Sequence, residues 1–193
     1  MKLCQQYRLN GIDLDWEHPK NESEQTGYAT ILADLRRAFH TKSLSVSMTM
    51  AAWQQVPRVA FEAVDFVQIM SYDKPMQHST LKDAINDIEK LSSDGAPRSK
   101  LVLGIPFYGR HTKTPDQTKT YREIVERWNP SPSSDEVEGY YFNGPETIAA
   151  KTRYARDHGL AGVMIWEVGQ DASGEQSLLK KISFAAKLDG EQK

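Results

Sequence analysis

The hydrophobic pattern of the chain alternates between two periods. Short runs rich in apolar and β-branched residues begin near Asn10, Leu44, Phe66, Lys100 and Leu160. Between these runs, apolar residues recur at every third or fourth position, which is the spacing of an amphipathic helix. Strands that alternate with helices are joined by crossovers and therefore run parallel. The pattern predicts an α/β fold with parallel strands, either an open doubly wound sheet or part of a (β/α)8 barrel.

The predicted helices differ in how clearly the pattern defines them. The apolar face of the first helix is formed by Tyr28, Ile31, Leu32, Leu35 and Phe39. Further helices are predicted over residues 80–97, 145–159 and 173–188. Residues 111–142 are polar and rich in Pro and Ser, and they predict only one short helix, over residues 121–128. Because regular order resumes directly afterwards, we interpret residues 111–142 as an excursion on the rim of one domain that covers residues 1–193.

The composition of the chain argues against some classes of binding partner. The chain has 193 residues, of which 39% are hydrophobic and 26% are charged, as in a globular protein with one core. A formal net charge of −2 does not predict a surface for nucleic acid. No apolar run approaches the roughly 18 residues that cross a bilayer, so no membrane contact is expected. Cys4 is the single cysteine, so no intrachain disulfide can form.

Three carboxylates occupy alternate positions of the first predicted strand. Because successive strand side chains point to opposite faces, Asp13, Asp15 and Glu17 converge on one face. The other face is expected to pack against helices and carries Ile12, Leu14 and Trp16. Like charges this close do not all ionise easily, so we expect the row to share at least one proton.

A shared proton suits acid–base chemistry. A glutamic acid that stays protonated near neutral pH can act as a general acid, and Glu17 is the candidate. A bound hard cation is the competing interpretation. Side chains at alternate strand positions lie about 7 Å apart in a row and do not surround one point. Neither a metal ion nor a cofactor is therefore expected.

Four motifs in a fixed order resemble those of a known family. NGIDLDWE, residues 10–17, resembles the D-G-x-D-x-D-W-E motif on the fourth barrel strand of glycoside hydrolase family 18, the chitinase family. Asn10 stands where the family has its first Asp. MSYD (70–73), GIPFYGR (104–110) and GVMIWEVGQD (162–171) are similar to the sixth, seventh and eighth strands. The resemblance implies a partial (β/α)8 TIM barrel, roughly strands four to eight with their helices.

The resemblance also implies a retaining mechanism in which the 2-acetamido group of the substrate is the nucleophile. In that mechanism Glu17 protonates the glycosidic oxygen, Asp15 orients the acetamido group, and Asp13 shares a proton with Asp15. Tyr72 is expected to hydrogen-bond the acetamido oxygen, and Trp166 to stack on the sugar. The remaining residues expected to line the pocket are Met70, Asp73 and Tyr108.

The expected substrate is a polymer or oligosaccharide of β-1,4-linked N-acetylglucosamine. Two other functions stay open: a non-catalytic chitin-binding lectin, and an endo-β-N-acetylglucosaminidase that acts on N-glycans or peptidoglycan. Retention of Glu17 argues against the lectin. The resemblance implies secretion, whereas MKLCQQYRLN lacks the apolar segment of a secretory signal, so the compartment stays open.

The resemblance places three βα units before the acidic strand, which begins here about ten residues after Met1. An arc of five strands has two unpaired edges, which are prone to pair with other chains, so self-association is one expectation. We expect the chain alone to have weak activity or none. Three explanations of this shortness stay open: the chain is a piece of a longer enzyme, another chain completes the barrel, or the protein has lost catalysis. We favour the first.

Overall fold

The computed structural model describes residues 2–187, which contain two β-sheets. In chain order, the strands of this part are β1 (Gly11–Asp15), β2 (Ser45–Met50), β3 (Phe66–Ile69), β4 (Leu101–Pro106), β5 (Tyr108–His111), β6 (Thr118–Thr120), β7 (Glu136–Val137), β8 (Tyr140–Tyr141) and β9 (Gly162–Trp166). The larger sheet is parallel and has the order β1-β2-β3-β4-β9. The smaller sheet is antiparallel and has the order β6-β5-β8-β7.

The described residues also form seven α-helices, which lie before, between and after the strands. They are α1 (Lys2–Tyr7), α2 (Glu22–His40), α3 (Arg58–Ala63), α4 (Leu81–Ser93), α5 (Tyr121–Trp128), α6 (Pro145–Asp157) and α7 (Leu178–Ala186). The sequence pattern does not predict α1 and α3, because six residues are too few to show a helical period clearly. Leu188, the last residue of the predicted closing helix, lies outside the described residues. In the part of the chain that the structure describes, no helix has the length and apolar character to span a membrane.

The strand order distinguishes the two architectures that the hydrophobic pattern leaves open. A doubly wound sheet reverses its strand order at a switch point, whereas neighbouring strands of a (β/α)8 barrel follow one another in sequence. The five parallel strands follow one another in chain order without a reversal. The α/β fold is therefore an arc of the kind that forms part of a (β/α)8 barrel.

One face of the arc is apolar and packs against the helices. Val46, Met48 and Met50 on β2 are fully buried in the main hydrophobic core. Ile12 and Leu14 of β1 pack against the same core, as the alternation of β1 predicts. The opposite face of the arc carries the carboxylates. The prediction for α2 is wrong at one position, because Ile31 remains 49% exposed.

The rim segment contains more regular structure than its sequence predicts. The helix predicted over residues 121–128 is present as α5, and a capping box between Thr120 and Glu123 begins it. The strands β6, β7 and β8 are not predicted, because two or three residues do not display an alternation. Residues 100–109 do not form one strand, because β4 ends at Pro106 and Tyr108 begins β5 in the other sheet.

A lysine is buried between α6 and the loop that precedes α4. Lys151 is fully buried, and its Nζ donates to the Ser79 carbonyl at 2.9 Å, to Ser79 Oγ at 2.7 Å and to Asn143 Oδ1 at 2.7 Å. All three acceptors are neutral. Burial lowers the pKa of Lys151 to about 7 because the ammonium form loses its hydration.

This buried amine makes the stability of the protein depend on pH. The unfolded lysine keeps its proton up to about pH 10.4, whereas the folded one releases it near 7, so the unfolded state binds more protons between these values. We expect the free energy of unfolding to rise by roughly 1 kcal/mol per pH unit in this window, relative to Lys151→Met. Urea denaturation at pH 7 and pH 9 measures this change in the free energy of unfolding. The control is Lys82→Met, at an exposed lysine. If the free energies of unfolding of wild type and Lys151→Met changed equally with pH, the expectation would be contradicted.

Candidate active site

The carboxyl ends of the parallel strands form one cleft of about 420 Å³. Parallel strands of a barrel place their carboxyl ends at a common face, where loops and terminal side chains meet. The cleft is lined by all of the residues singled out from the sequence: Asp13, Asp15, Glu17, Met70, Tyr72, Asp73, Tyr108 and Trp166. Four further lining residues are Thr49, Gln68, Met164 and Ile165. The tertiary structure thus brings β1, β3 and β9 to one cavity.

Asp13 is held by side chains of the neighbouring strands. Its Oδ1 accepts from Ser47 Oγ at 2.6 Å and from Gln68 Nε2 at 2.9 Å, and its Oδ2 accepts from Thr49 Oγ1 at 2.7 Å. No hydrogen bond joins the carboxylates of Asp13 and Asp15, although the resemblance implies a shared proton. The sequence contains a signal for these partners. Ser47 and Thr49 on β2 and Gln68 on β3 alternate with buried apolar residues of the same strands.

The neighbouring carboxylates change the pKa of Asp15. Burial raises the pKa of Asp15, and the negative charges of Glu17 and then Asp13 raise it further, while His18 opposes them. Asp15 therefore keeps its proton to a higher pH than an isolated aspartic acid does. Within residues 2–187, no three His, Cys, Asp or Glu side chains are placed to hold a metal ion.

Water reaches the acidic row. The Glu17 side chain is 55% exposed, and within residues 2–187 β1 pairs with β2 alone. Trp16, expected on the packed face, is 36% exposed and meets the Tyr28 ring edge-on at 5.7 Å between centroids. Tyr28 also donates from its hydroxyl to the Leu14 carbonyl at 2.8 Å. The side chain of Tyr28 thus supports β1 from the helical side, while solvent screens the carboxylates on the other side.

Tyr72 faces the carboxylates from the loop after β3. Burial raises the pKa of Tyr72, and the nearby negative charges of Asp73, Asp15 and Glu17 raise it further. The Tyr72 ring lies over Gly104 of β4, where an added Cβ would be 2.9 Å from Tyr72 Cε1 and would also collide with the backbone oxygen of Ile69. The missing side chain at Gly104 therefore provides the space for the ring.

Asp73 connects the site to the antiparallel sheet. Tyr108 Oη donates to Asp73 Oδ1 at 2.7 Å, Arg110 Nη1 lies 2.9 Å from the same oxygen, and His78 Nδ1 lies 3.7 Å from it. Burial alone would raise the pKa of Asp73, but these polar contacts and the charge of Arg110 lower it to about 2. Asp73 is thus an ionised anchor between the two sheets as well as a lining residue.

Two further cavities continue the cleft on either side. A cavity of about 330 Å³ shares Glu17 and Tyr72 with the central cleft and is also lined by His18 and Trp53. Another, of about 480 Å³, shares Asp73, Tyr108 and Trp166 with it. Trp166 is 55% exposed and Trp53 is 66% exposed. The result is a groove that runs past Glu17 in both directions.

The sequence pattern assigns no role to His18 or Trp53. His18 has the wrong parity for the acidic face, because an extended strand would point it away from Glu17. In the structure β1 ends at Asp15, so this parity does not apply to His18. Trp53 follows the end of β2 at the same edge of the sheet, and this position is the signal that could have identified it.

The fold and the site together define a (β/α)8-barrel type of protein with its carboxylates at the carboxyl ends of the strands. Residues 1–171 match the family described as Glycosyl hydrolases family 18, and the chain belongs to this family. Probable chitinase 2 of Drosophila melanogaster is 25% identical over 236 residues, which cover 88% of this chain and 49% of that protein. The chain spans about half the length of the curated relatives it matches.

Solved structures show the same architecture. The family 18 chitinase ChiB from the chitin utilization locus of Flavobacterium johnsoniae has a TM-score of 0.85 at 29% identity, covering 96% of this chain and 62% of that chain. A chitinase-like agglutinin from Robinia pseudoacacia has a TM-score of 0.82 at 24% identity, covering 96% of this chain and 70% of that one. The second likeness concerns the fold alone. The partial TIM-barrel fold implied by the motifs is confirmed.

The contact between Gly104 and Tyr72 predicts the effect of a small substitution. We expect Gly104→Ala to destabilise the protein by about 1–3 kcal/mol, because the new methyl group overpacks the sheet and displaces the Tyr72 ring. Gly27→Ala is the matched control, since no atom lies within 4 Å of its added Cβ on α2, and there we expect a small gain. Urea denaturation of both variants measures the difference. Equal stabilities would show that the ring does not need this space.

The crowding of the acidic row predicts how Asp15 titrates in variants. We expect Glu17→Gln and Asp13→Asn each to lower the pKa of Asp15, with the larger decrease for Glu17→Gln, because each removes a neighbouring negative charge. Carbon-detected NMR of the side-chain carboxyl groups measures the midpoint. Glu126→Gln, at an exposed glutamate on α5, serves as the control and leaves it unchanged. An unchanged midpoint in Glu17→Gln would refute the coupling.

Proposed function

We propose that the cleft hydrolyses β-1,4-linked N-acetylglucosamine polymers, either chitin or chito-oligosaccharides, with retention and with assistance from the substrate. The observation that supports this proposal is the single cleft in which Glu17, Asp15 and Tyr72 face Trp166. Membership of glycosyl hydrolases family 18 supports the same reaction class. The names of the relatives, such as Probable chitinase 2, agree with it.

In the proposed first step, Glu17 donates its proton to the glycosidic oxygen. The acetamido oxygen of the bound sugar attacks the anomeric carbon, the bond to the leaving oxygen breaks, and a cyclic oxazolinium ion forms. Asp15 orients the acetamido N–H and balances the positive charge. Tyr72 donates a hydrogen bond to the acetamido oxygen before it attacks, since its raised pKa keeps the phenol protonated. Its ring lies within the same cavity as Asp15.

In the proposed second step, water adds to the anomeric carbon and opens the ring of the intermediate. The carboxylate of Glu17 takes a proton from this water, so the acid is regenerated and the stereochemistry is retained. Asp13, fixed by its three donors, lies beside Asp15 and shares a proton with it in this proposal. Trp166 supplies an exposed aromatic face on which the apolar side of a sugar ring stacks.

The open groove bears on how fast this reaction proceeds. Glu17 and Trp166 are both more than half exposed, so water competes with the bound sugar and charges are screened. We therefore propose weak hydrolysis by this chain alone. Self-association through the edges of β1 and β9, each paired on one side within the described residues, is also a proposal, which the oligomeric state in solution tests.

A single substitution tests the proposed reaction. We expect Glu17→Gln to lower kcat on a chromogenic chitobioside by about 10²–10⁴-fold, because it removes the general acid. Calorimetric titration with chitotetraose is expected to show similar affinity for wild type and Glu17→Gln, because the two side chains have the same shape. Glu126→Gln is the control for a change of charge away from the cleft, and its rate is expected to match that of wild type.

Each other outcome identifies a different function. Binding of chitotetraose without hydrolysis by either protein would identify a lectin and refute the catalytic proposal. Equal hydrolysis by wild type and Glu17→Gln would refute the role of Glu17. Release of glycans from a glycoprotein, or of fragments from peptidoglycan, with no action on chitotetraose would identify the endo-β-N-acetylglucosaminidase.

A further inference from the structure

The side chain of Glu17 has one polar neighbour that the proposed reaction does not use. His18 Nε2 lies 3.8 Å from Glu17 Oε2, and the His18 side chain is 26% exposed. Among residues 2–187, His18 is the side chain that the structure places in polar contact with Glu17. The Trp53 ring meets the imidazole of His18 edge-on at 4.6 Å between centroids.

A buried amide holds the other side of the imidazole. Gln54 is 2% exposed and lies in the loop after β2, where its backbone N–H donates to the Ala51 carbonyl at 3.0 Å. Its Oε1 lies 3.0 Å from His18 Nδ1. An amide oxygen accepts, so Nδ1 carries a proton in this arrangement and Nε2 is the atom directed at Glu17.

The arrangement gives the two oxygens of Glu17 different surroundings. When the imidazole is protonated, its positive charge attracts, across 3.8 Å, the carboxylate that remains after Glu17 has given up its proton. When Glu17 is protonated, Oε2 stays directed at Nε2 and the proton lies on Oε1. Oε1 is therefore the oxygen that delivers the proton to the substrate.

We infer that His18, held by Gln54, is a positioning residue that directs the carboxyl group of Glu17 in proton transfer. The role in catalysis rests on the proposed function, whereas the contact between His18 and Glu17 does not. A displacement of about 1 Å in a reacting group costs up to about 100-fold in rate, so a fixed carboxyl group matters.

Other charged groups face His18 across the groove. The positive charge of His18 lowers the pKa of Asp15, against the larger effect of burial, so Asp15 lies within its electrostatic range. Lys74 is paired with Asp87 at 2.7 Å, and Lys90 is paired with Asp94 at 2.6 Å. The titratable and charged groups that line the cavity with His18 are Glu17, Tyr72, Asp73, Lys74, Asp87 and Lys90.

NMR titration of the His18 ring tests the contact without any need for activity. We expect the ring signals of wild type to show two inflections, a large one from the imidazole and a smaller one, the lower inflection, from Glu17. In Glu17→Gln the lower inflection disappears. In Asp15→Asn, which removes the other nearby carboxyl group, both inflections remain. The ring signals are assigned by their absence from His18→Gln.

A second variant tests whether Gln54 holds the ring. In Gln54→Leu, which fills the buried site without an acceptor, we expect the lower inflection to shrink by at least half, because the ring is free to turn from Glu17. Persistence of the lower inflection in Glu17→Gln, or its absence from wild type, overturns the contact. An undiminished inflection in Gln54→Leu overturns the positioning by Gln54.

Kinetics test the consequence for the reaction. We expect His18→Gln to lower kcat on the chitobioside by roughly 10- to 100-fold at a similar KM, and to remove one ionisation from the pH–rate profile. His40→Gln, at an exposed histidine on α2, is the control. An unchanged profile in His18→Gln overturns the inference. If wild type shows no hydrolysis, the proposed function fails while the ring titration still decides the contact.

Discussion

The burial of one face of the parallel sheet against the helices determines the orientation of the strand side chains in the site. Because strand side chains alternate, packing Val46, Met48 and Leu14 into the core turns Thr49 and Asp13 to the opposite face. A slip of one residue would exchange the two faces and place carboxylates in the core. The cost of burying them without partners therefore protects the register of β1. The placement of Asp13 and Asp15 and the packing of the core are two consequences of one alternation.

The antiparallel sheet depends on this arc through Asp73. Tyr108 and Arg110 lie on β5, yet their polar groups converge on a carboxylate from the loop after β3. That interaction lowers the pKa of Asp73 to about 2, so its charge persists over the whole range in which the protein is expected to work. Behind the same loop, Lys151 binds the carbonyl and the hydroxyl of Ser79. The segment with Tyr72 is thereby held from both sides.

The site is more open to water than a closed barrel would be. In the described residues β1 and β9 each have one neighbour, and the face that carries the carboxylates is exposed. Solvent relieves the repulsion among Asp13, Asp15 and Glu17, and hydrogen bonds from β2 and β3 relieve it further at Asp13. The same water weakens electrostatic effects in the proposed reaction. Solvent thus stabilises the acidic row but weakens the proposed catalysis.

The sequence by itself determined the α/β class, the five parallel strands and the row formed by Asp13, Asp15 and Glu17. Periods of two and of three to four residues are local properties, and ordered motifs extend them to a family. Only the tertiary structure decided which side chains meet. The pairing of His18 with Gln54, the three donors on Asp13 and the strands β6 to β8 depend on contacts between residues far apart in the chain. A local hydrophobic pattern does not predict such contacts, because they depend on how the loops fold back over the sheet.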